Sequence, residues 1–155
     1  MMRIPAPLLP FLLAAALAAQ SPPLFLAAPK GELGRDSDPT VRLLAADFDG
    51  DGDPDLVTGN ASTSRRSLFW RNDGRGVLRA EGSSLALPPH YTTAMAAADF
   101  DGDGDLDLVS FGIGRQYLFL NRGAGTFVDA TRGRLPSVTI DPSAAACGDI
   151  DGDGD

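Results

Sequence analysis

A run of alternating aspartates and glycines occurs three times in this chain at almost constant spacing. Ala46-Asp-Phe-Asp-Gly-Asp-Gly-Asp-Pro-Asp-Leu-Val57 reappears as Ala98-Asp-Phe-Asp-Gly-Asp-Gly-Asp-Leu-Asp-Leu-Val109 and begins again as Gly148-Asp-Ile-Asp-Gly-Asp-Gly-Asp155. The interval from Asp47 to Asp99 is 52 residues and from Asp99 to Asp149 is 50. A second element keeps step with the first: Leu68-Phe-Trp-Arg-Asn72-Asp-Gly74-Arg-Gly76-Val-Leu78 aligns with Tyr117-Leu-Phe-Leu-Asn121-Arg-Gly123-Ala-Gly125-Thr-Phe127 at an offset of 49. A period near 50 residues is the mark of a repeat architecture, in which each unit buries its apolar surface against its neighbours. The difference between the two offsets places a length change in Gly59 to Arg66, whose small polar residues read as a surface loop.

Within a repeat the pattern is strand, acidic loop, strand. Apolar residues precede each loop (Val41 to Ala46, Thr93 to Ala98) and Asp-Leu-Val follows it. Short apolar pieces bounded by Gly and Asp suit buried strands, and each loop glycine costs a helix about 1 kcal/mol. Leu68 to Arg71 and Val77 to Ala80 add two strands around an Asn/Gly turn. The expected fold class is therefore all-β, built of propeller-type blades of four antiparallel strands. Residues 40–91 form the first repeat, 92–141 the second, and 142–155 the start of a third. Trp70, Phe119 and Phe127 are expected in the core between blades. Asn60-Ala-Ser62 fits a glycosylation sequon but reads as loop.

The chain begins with a different kind of signal. Met1-Met2-Arg3 is positive, Leu8 to Leu17 is apolar, and Ala16-Leu17-Ala18 is a small-x-small site followed by Gln20-Ser21-Pro22-Pro23. Residues 1–19 are thus predicted to be a secretory signal peptide, too short and Pro-interrupted for a membrane span. Residues 20–39 are a Pro/Gly-rich lead-in. The protein is expected to be secreted, periplasmic or at the cell surface.

Of the 21 acidic residues, 14 lie in the three loops, which leaves 7 acids against 13 bases elsewhere and a net charge of -8 overall. The cations are scattered, and a nucleic-acid partner, which needs a basic face, is not expected. The lone Cys147 excludes an intrachain disulfide and is expected as a small buried residue. With His90 as the single histidine, most triad chemistry cannot be assembled within this chain.

The acidic loop itself reads as a metal site. Asp47, Asp49 and Asp51 at positions 1, 3 and 5 converge if the chain winds tightly, Gly52 permits the turn, Asp53 offers its carbonyl at position 7, and Asp55 closes the shell. The second copy offers Asp99, Asp101, Asp103, the carbonyl of Asp105, and Asp107; the third offers Asp149, Asp151, Asp153 and the carbonyl of Asp155. An all-oxygen set selects a hard cation, and loop flexibility favours Ca2+ over magnesium. Five carboxylates in nine residues repel one another, by roughly 1 kcal/mol per pair at 4 Å even in bulk water. An EF-hand is disfavoured because position 12 is Thr58 or Ser110 and the flanks are strands.

These residues, with Gly123-x-Gly-x-Phe-x-Asp-x-Thr131 and Leu135-Pro136, resemble the FG-GAP-like or VCBS repeat, similar in plan to the calcium-bearing blades of integrin alpha-chain propellers. The literal Phe-Gly…Gly-Ala-Pro signature is replaced by Val57-Thr-Gly-Asn60 and Val109-Ser-Phe-Gly112, which favours the VCBS-like branch. The resemblance implies a propeller of about seven blades with calcium on the Asp residues named above. Two repeats and part of a third cannot close such a ring, so the chain is expected to be an N-terminal fragment. The expected function is a non-enzymatic, exported calcium-binding scaffold presenting blade loops to an extracellular protein or carbohydrate ligand, as in adhesion. The alternative is the propeller part of a secreted polysaccharide lyase or hydrolase.

Overall fold

The structure is a computed structural model that describes residues 40–64, 66–81, 85, 87–148 and 150–151. The proposed signal peptide, the lead-in, and Asp149, Asp153 and Asp155 of the third loop lie outside the described residues. Two sheets of the same plan follow one another. In the first, β1 (Thr40–Ala46), β2 (Asp55–Asn60), β3 (Leu68–Asn72) and β4 (Leu78–Ala80) lie side by side in chain order, all antiparallel. In the second, β5 (Thr92–Ala98), β6 (Asp107–Gly112), β7 (Arg115–Asn121) and β8 (Phe127–Asp129) repeat the arrangement. Among the described residues the chain is all-β, with two four-stranded antiparallel meanders of the kind found in propeller blades and no closed ring. Thr131–Arg134 makes a short, irregular helical turn after β8.

Register repeats as faithfully as sequence. Leu44 faces Val57 and Ala46 faces Asp55 in the first sheet; Ala96 faces Val109 and Ala98 faces Asp107 in the second. Each opening strand carries a register shift at the same place, between Thr40 and Arg42 and between Thr92 and Ala94. A bulge leaves its extra residue outside the ladder, and the carbonyl of Thr93, in the second bulge, accepts a hydrogen bond from Arg42 Nε at 2.6 Å. A defect in one sheet is thereby used as a joint to the other.

The core sits between the sheets. Phe48, from the first acidic loop, is 1% exposed and packs edge-on against Phe69 of β3 at 6.0 Å and Phe127 of β8 at 5.6 Å. Val57, Leu85, Leu87, Met95, Leu108 and Phe119 complete the cluster. The close approach has a backbone cost: a Cβ on Gly125 would lie 2.9 Å from the Phe69 ring. Phe119 and Phe127 are core residues as expected, while Trp70 is buried outside this cluster with its indole N–H on Thr58 Oγ1 at 3.3 Å.

Two expectations are corrected. Asn60 is not in a loop: it ends β2, is 1% exposed, and donates to the Arg66 carbonyl at 2.6 Å, because the strand continues past the point where the small polar residues suggested a break. Cys147 is exposed: it lies in the irregular segment after the last described strand, at the open rim of a cavity beside Val109, Phe111 and Leu118. His90, in contrast, is buried, with its ring nitrogens 3.0 Å from Pro88 O and Ser110 Oγ.

The repeat makes an internal control. Phe100 occupies the position of Phe48 on the far face of the second sheet and is 40% exposed. Phe48→Ala is expected to cost about 3–5 kcal/mol, as large aromatic truncations in a core do, and Phe100→Ala less than about 1 kcal/mol. Denaturant unfolding of the two variants measures the difference; equal losses would contradict a seam built on Phe48.

Candidate metal centre

Each acidic loop is wound by hydrogen bonds from its own backbone to its own carboxylates. In the first, Asp47 Oδ1 accepts from Gly50 N at 2.8 Å and Asp47 Oδ2 from Gly52 N at 2.9 Å. In the second, Asp99 Oδ1 accepts from Gly102 N and Oδ2 from Gly104 N, both at 2.8 Å. These turns require positive φ at two positions, and the values coincide: 77° and 94° at Gly50 and Gly52, 77° and 94° at Gly102 and Gly104. Residues with a Cβ rarely adopt that backbone. The two loops are therefore one conformation used twice, and the glycines of the repeated motif are what permit it.

The ninth position closes the loop from below. Asp107 is completely buried; its Oδ2 accepts from Phe100 N at 2.7 Å and its Oδ1 from Asn121 N at 2.8 Å. Asp55 does the same with Phe48 N at 3.1 Å and Asn72 N at 2.8 Å. Each of these carboxylates holds the loop entrance to the end of the third strand of its sheet. Burial pushes both above the ordinary carboxylate value, the hydrogen bonds from Asn72 and Phe48 or Asn121 and Phe100 opposing it. Asp99 is held below that value, chiefly by the Gly104 N–H.

The winding brings one oxygen each of Asp47, Asp49 and Asp55 within 4.8 Å of one another, and likewise Asp99, Asp101 and Asp107. Positions 1, 3 and 9 converge in both loops. Asp51 and Asp103 are not among these converging side chains; their Oδ1 atoms accept from Asp53 N and Asp105 N at 3.0 Å and cap the turn. Asp151 of the third loop is described and exposed. The donors are all carboxylate oxygen, which suits a hard cation. One atom carries the fit further: Asp101 Oδ1 is buried yet has no hydrogen-bond partner, in a side chain only 10% exposed. A desolvated carboxylate oxygen without a donor is costly, and a cation in this cluster would satisfy it. The Asp clusters can thus hold a metal ion.

Sequence reasoning about ligands did not single out four residues. Asn72 and Asn121 latch the loops: Asn72 Nδ2 donates to Pro54 O at 3.1 Å and Asn121 Nδ2 to Leu106 O at 3.1 Å, the latter also reaching Phe48 O in the first loop at 2.7 Å. Their equivalent places in the second repeated element were a legible signal. Arg71 and Arg122, which pair with Asp49 and Asp101, stand at non-equivalent places, so self-alignment does not reveal them.

A raised native value means that the folded chain binds more protons than the unfolded one. The contribution of Asp55 and Asp107 to stability is therefore full below the ordinary carboxylate value and drains away as pH rises through their native values. Asp99 acts oppositely, contributing above the ordinary value and losing that contribution as pH falls through its native one. Carboxyl-carbon NMR titration in chelator is expected to find Asp107 above the ordinary range and Asp99 below it, with added divalent cation moving Asp107 downward. An Asp107 at or below the ordinary value would contradict the burial argument.

No helix among the described residues is long and apolar enough to cross a membrane. In comparisons with known proteins, a family model described as FG-GAP-like repeat matches residues 47–110 and 99–155. No curated protein and no solved structure matches the chain. The two matches start at the first residue of each of the first two acidic loops, and together they span most of the sequence. With the same motif, the same loop conformation and the same four-stranded sheet present twice, the chain belongs to the FG-GAP-like repeat family.

Proposed function

We propose that the protein is an exported, non-enzymatic calcium-binding scaffold whose propeller blades present their loops to an extracellular protein or carbohydrate ligand. The metal reading is carried by Asp101 Oδ1, a buried oxygen without a hydrogen-bond donor inside a cluster of converging carboxylates. Calcium is the ion favoured by an all-oxygen, glycine-hinged loop, because it tolerates irregular coordination that magnesium does not. Calcium would supply positive charge that turns the mutual repulsion of the loop carboxylates into attraction. Asp47, Asp49 and Asp55 would hold it in the first loop, and Asp99, Asp101 and Asp107 in the second. An affinity on the order of 0.1–1 mM fits extracellular modules, and export is supported by the signal-peptide pattern of residues 1–19.

A structural role for the calcium follows from what the loops join. Each loop links the first two strands of a sheet, and its ninth-position aspartate holds the end of the third. The opposite end of the sheets presents the turns after β2 and β6, where Ser64 and Ile113 are exposed and available to a ligand. A non-enzymatic reading is supported by His90, whose ring nitrogens are taken up by Pro88 O and Ser110 Oγ while Ser110 itself is fully buried.

Calorimetric titration with calcium chloride tests the metal reading. At 10 mM calcium each filled site is expected to add about 1.4–2.7 kcal/mol of stability, and Asp47→Ala is expected to remove one of two binding events. No heat at millimolar calcium, with a melting temperature indifferent to chelator, would sink it. Binding to immobilised polysaccharides, assayed beside release of reducing ends, tests the scaffold role; calcium-dependent cleavage would overturn the non-enzymatic part.

A further inference from the structure

An arginine sits on the third-position aspartate of both loops, but the two arginines come from different places in the repeat. Arg71 lies on β3, where the second repeat has Leu120; Arg122 lies in the turn after β7, where the first has Asp73. Arg71 Nη1 is 2.5 Å from Asp49 Oδ2, and its Nη2 donates to Ala124 O of the second sheet at 2.9 Å. Its Nε is 3.7 Å from Glu81, and the side chain is 34% exposed. The guanidinium is anchored from three directions and spans the seam. Arg122 Nη1 is 2.9 Å from Asp101 Oδ2 and 3.7 Å from Asp103 Oδ2, on a side chain that is 50% exposed.

The oxygens left for an ion differ accordingly. Both oxygens of Asp49 are engaged, Oδ2 by Arg71 and Oδ1 by the Asp51 N–H at 3.2 Å. In the second loop the Asp103 N–H turns instead to Asp99 Oδ1 at 3.2 Å, and Asp101 Oδ1 is left buried without a partner. A cation entering the second loop meets a desolvated oxygen that nothing else in the described residues uses, beside an arginine that is more exposed than Arg71 and held only by carboxylates of its own loop. In the first loop it must compete with an anchored cation for Asp49 and remain beside that charge.

We infer that the two sites are unequal: a divalent cation fills the Asp99–Asp101–Asp107 site first, and Arg71 holds the Asp47–Asp49–Asp55 site at lower affinity. The inference rests on the reading that these loops bind calcium. It makes Arg71 a positioning residue that sets the metal affinity of one blade while fastening it to the next.

Calorimetry with calcium chloride on the full chain separates the sites. Asp47→Ala isolates the second site and Asp99→Ala the first; the first is expected to bind about tenfold more weakly. Adding Arg71→Met to Asp99→Ala is expected to tighten the remaining site by about tenfold, with Arg71→Gln, which keeps hydrogen-bonding capacity without the charge, giving the same direction if the Met variant fails to fold. Arg122→Met in Asp47→Ala is expected to tighten its site less than about threefold, as the charge is solvated. Equal affinities in the two single-site variants, or a first site unchanged or weakened by loss of the Arg71 charge, would overturn the inference. Absence of calcium heat in the unsubstituted chain would overturn the calcium reading and this inference together, whereas heat there without an Arg71 effect overturns this inference alone.

Discussion

A carboxylate removed from water must be given hydrogen-bond donors, and in each sheet the ninth-position aspartate finds them on two separate pieces of chain. Asp107 takes the N–H of Phe100 at the loop entrance and the N–H of Asn121 at the end of β7; Asp55 takes those of Phe48 and Asn72. Both stand at the first residue of a strand, so one side chain ties loop, second strand and third strand together. The remaining geometry of the loop depends on that tie. With its two ends held, the glycine-hinged turn in between winds over the first-position aspartate, and positions 1, 3 and 9 are drawn within reach of one ion. Burial makes these two carboxylates hard to ionise.

The seam between the sheets is built from parts of the acidic loops. Phe48, the residue between the first and second aspartates of the first loop, is the aromatic wedge that meets Phe69 and Phe127, and its carbonyl is held by Asn121 of the second sheet. Arg71 links Asp49 to the Ala124 carbonyl across the same seam. Ordering the loop and docking the sheets are consequently not independent events: whatever stiffens the loop also places Phe48. Rigid packing between neighbours is how repeat architectures gain stability, and here the acidic loop is one of the packing surfaces.

Much of this was readable without coordinates. The strands fall where the apolar pieces bounded by Gly and Asp put them, since a repeated pattern of short apolar runs and turn residues leaves few alternatives. Asp47, Asp49 and Asp55, with their second-repeat counterparts, were legible from spacing because a tight turn of fixed length brings fixed positions together. Asp51 and Asp103 share that spacing, but their side chains cap backbone N–H groups outside the converging set, a choice between two nearby partners that spacing does not encode. Asn60 departs from its sequence pattern because small polar residues at the end of a strand buried on both sides look like a loop. The exposure of Cys147 depends on what covers it, which local composition does not report.

The sequence by itself determined the repeat, the four-strand unit, the wound acidic loop and the residues able to approach an ion, because each of these follows from local chain geometry: side-chain period, glycine at positive φ, and carboxylates a few residues apart. Tertiary structure alone decided that the two loops are not equivalent. Arg71 from β3 and Arg122 from the turn after β7 reach the third-position aspartates of their respective loops, Phe48 is covered where Phe100 is not, and Asn121 bonds to a carbonyl 73 residues away where Asn72 serves its own sheet. These differences arise where one copy of the repeat meets the next, and a contact between sheets depends on surfaces brought together by folding rather than on the order of residues along the chain.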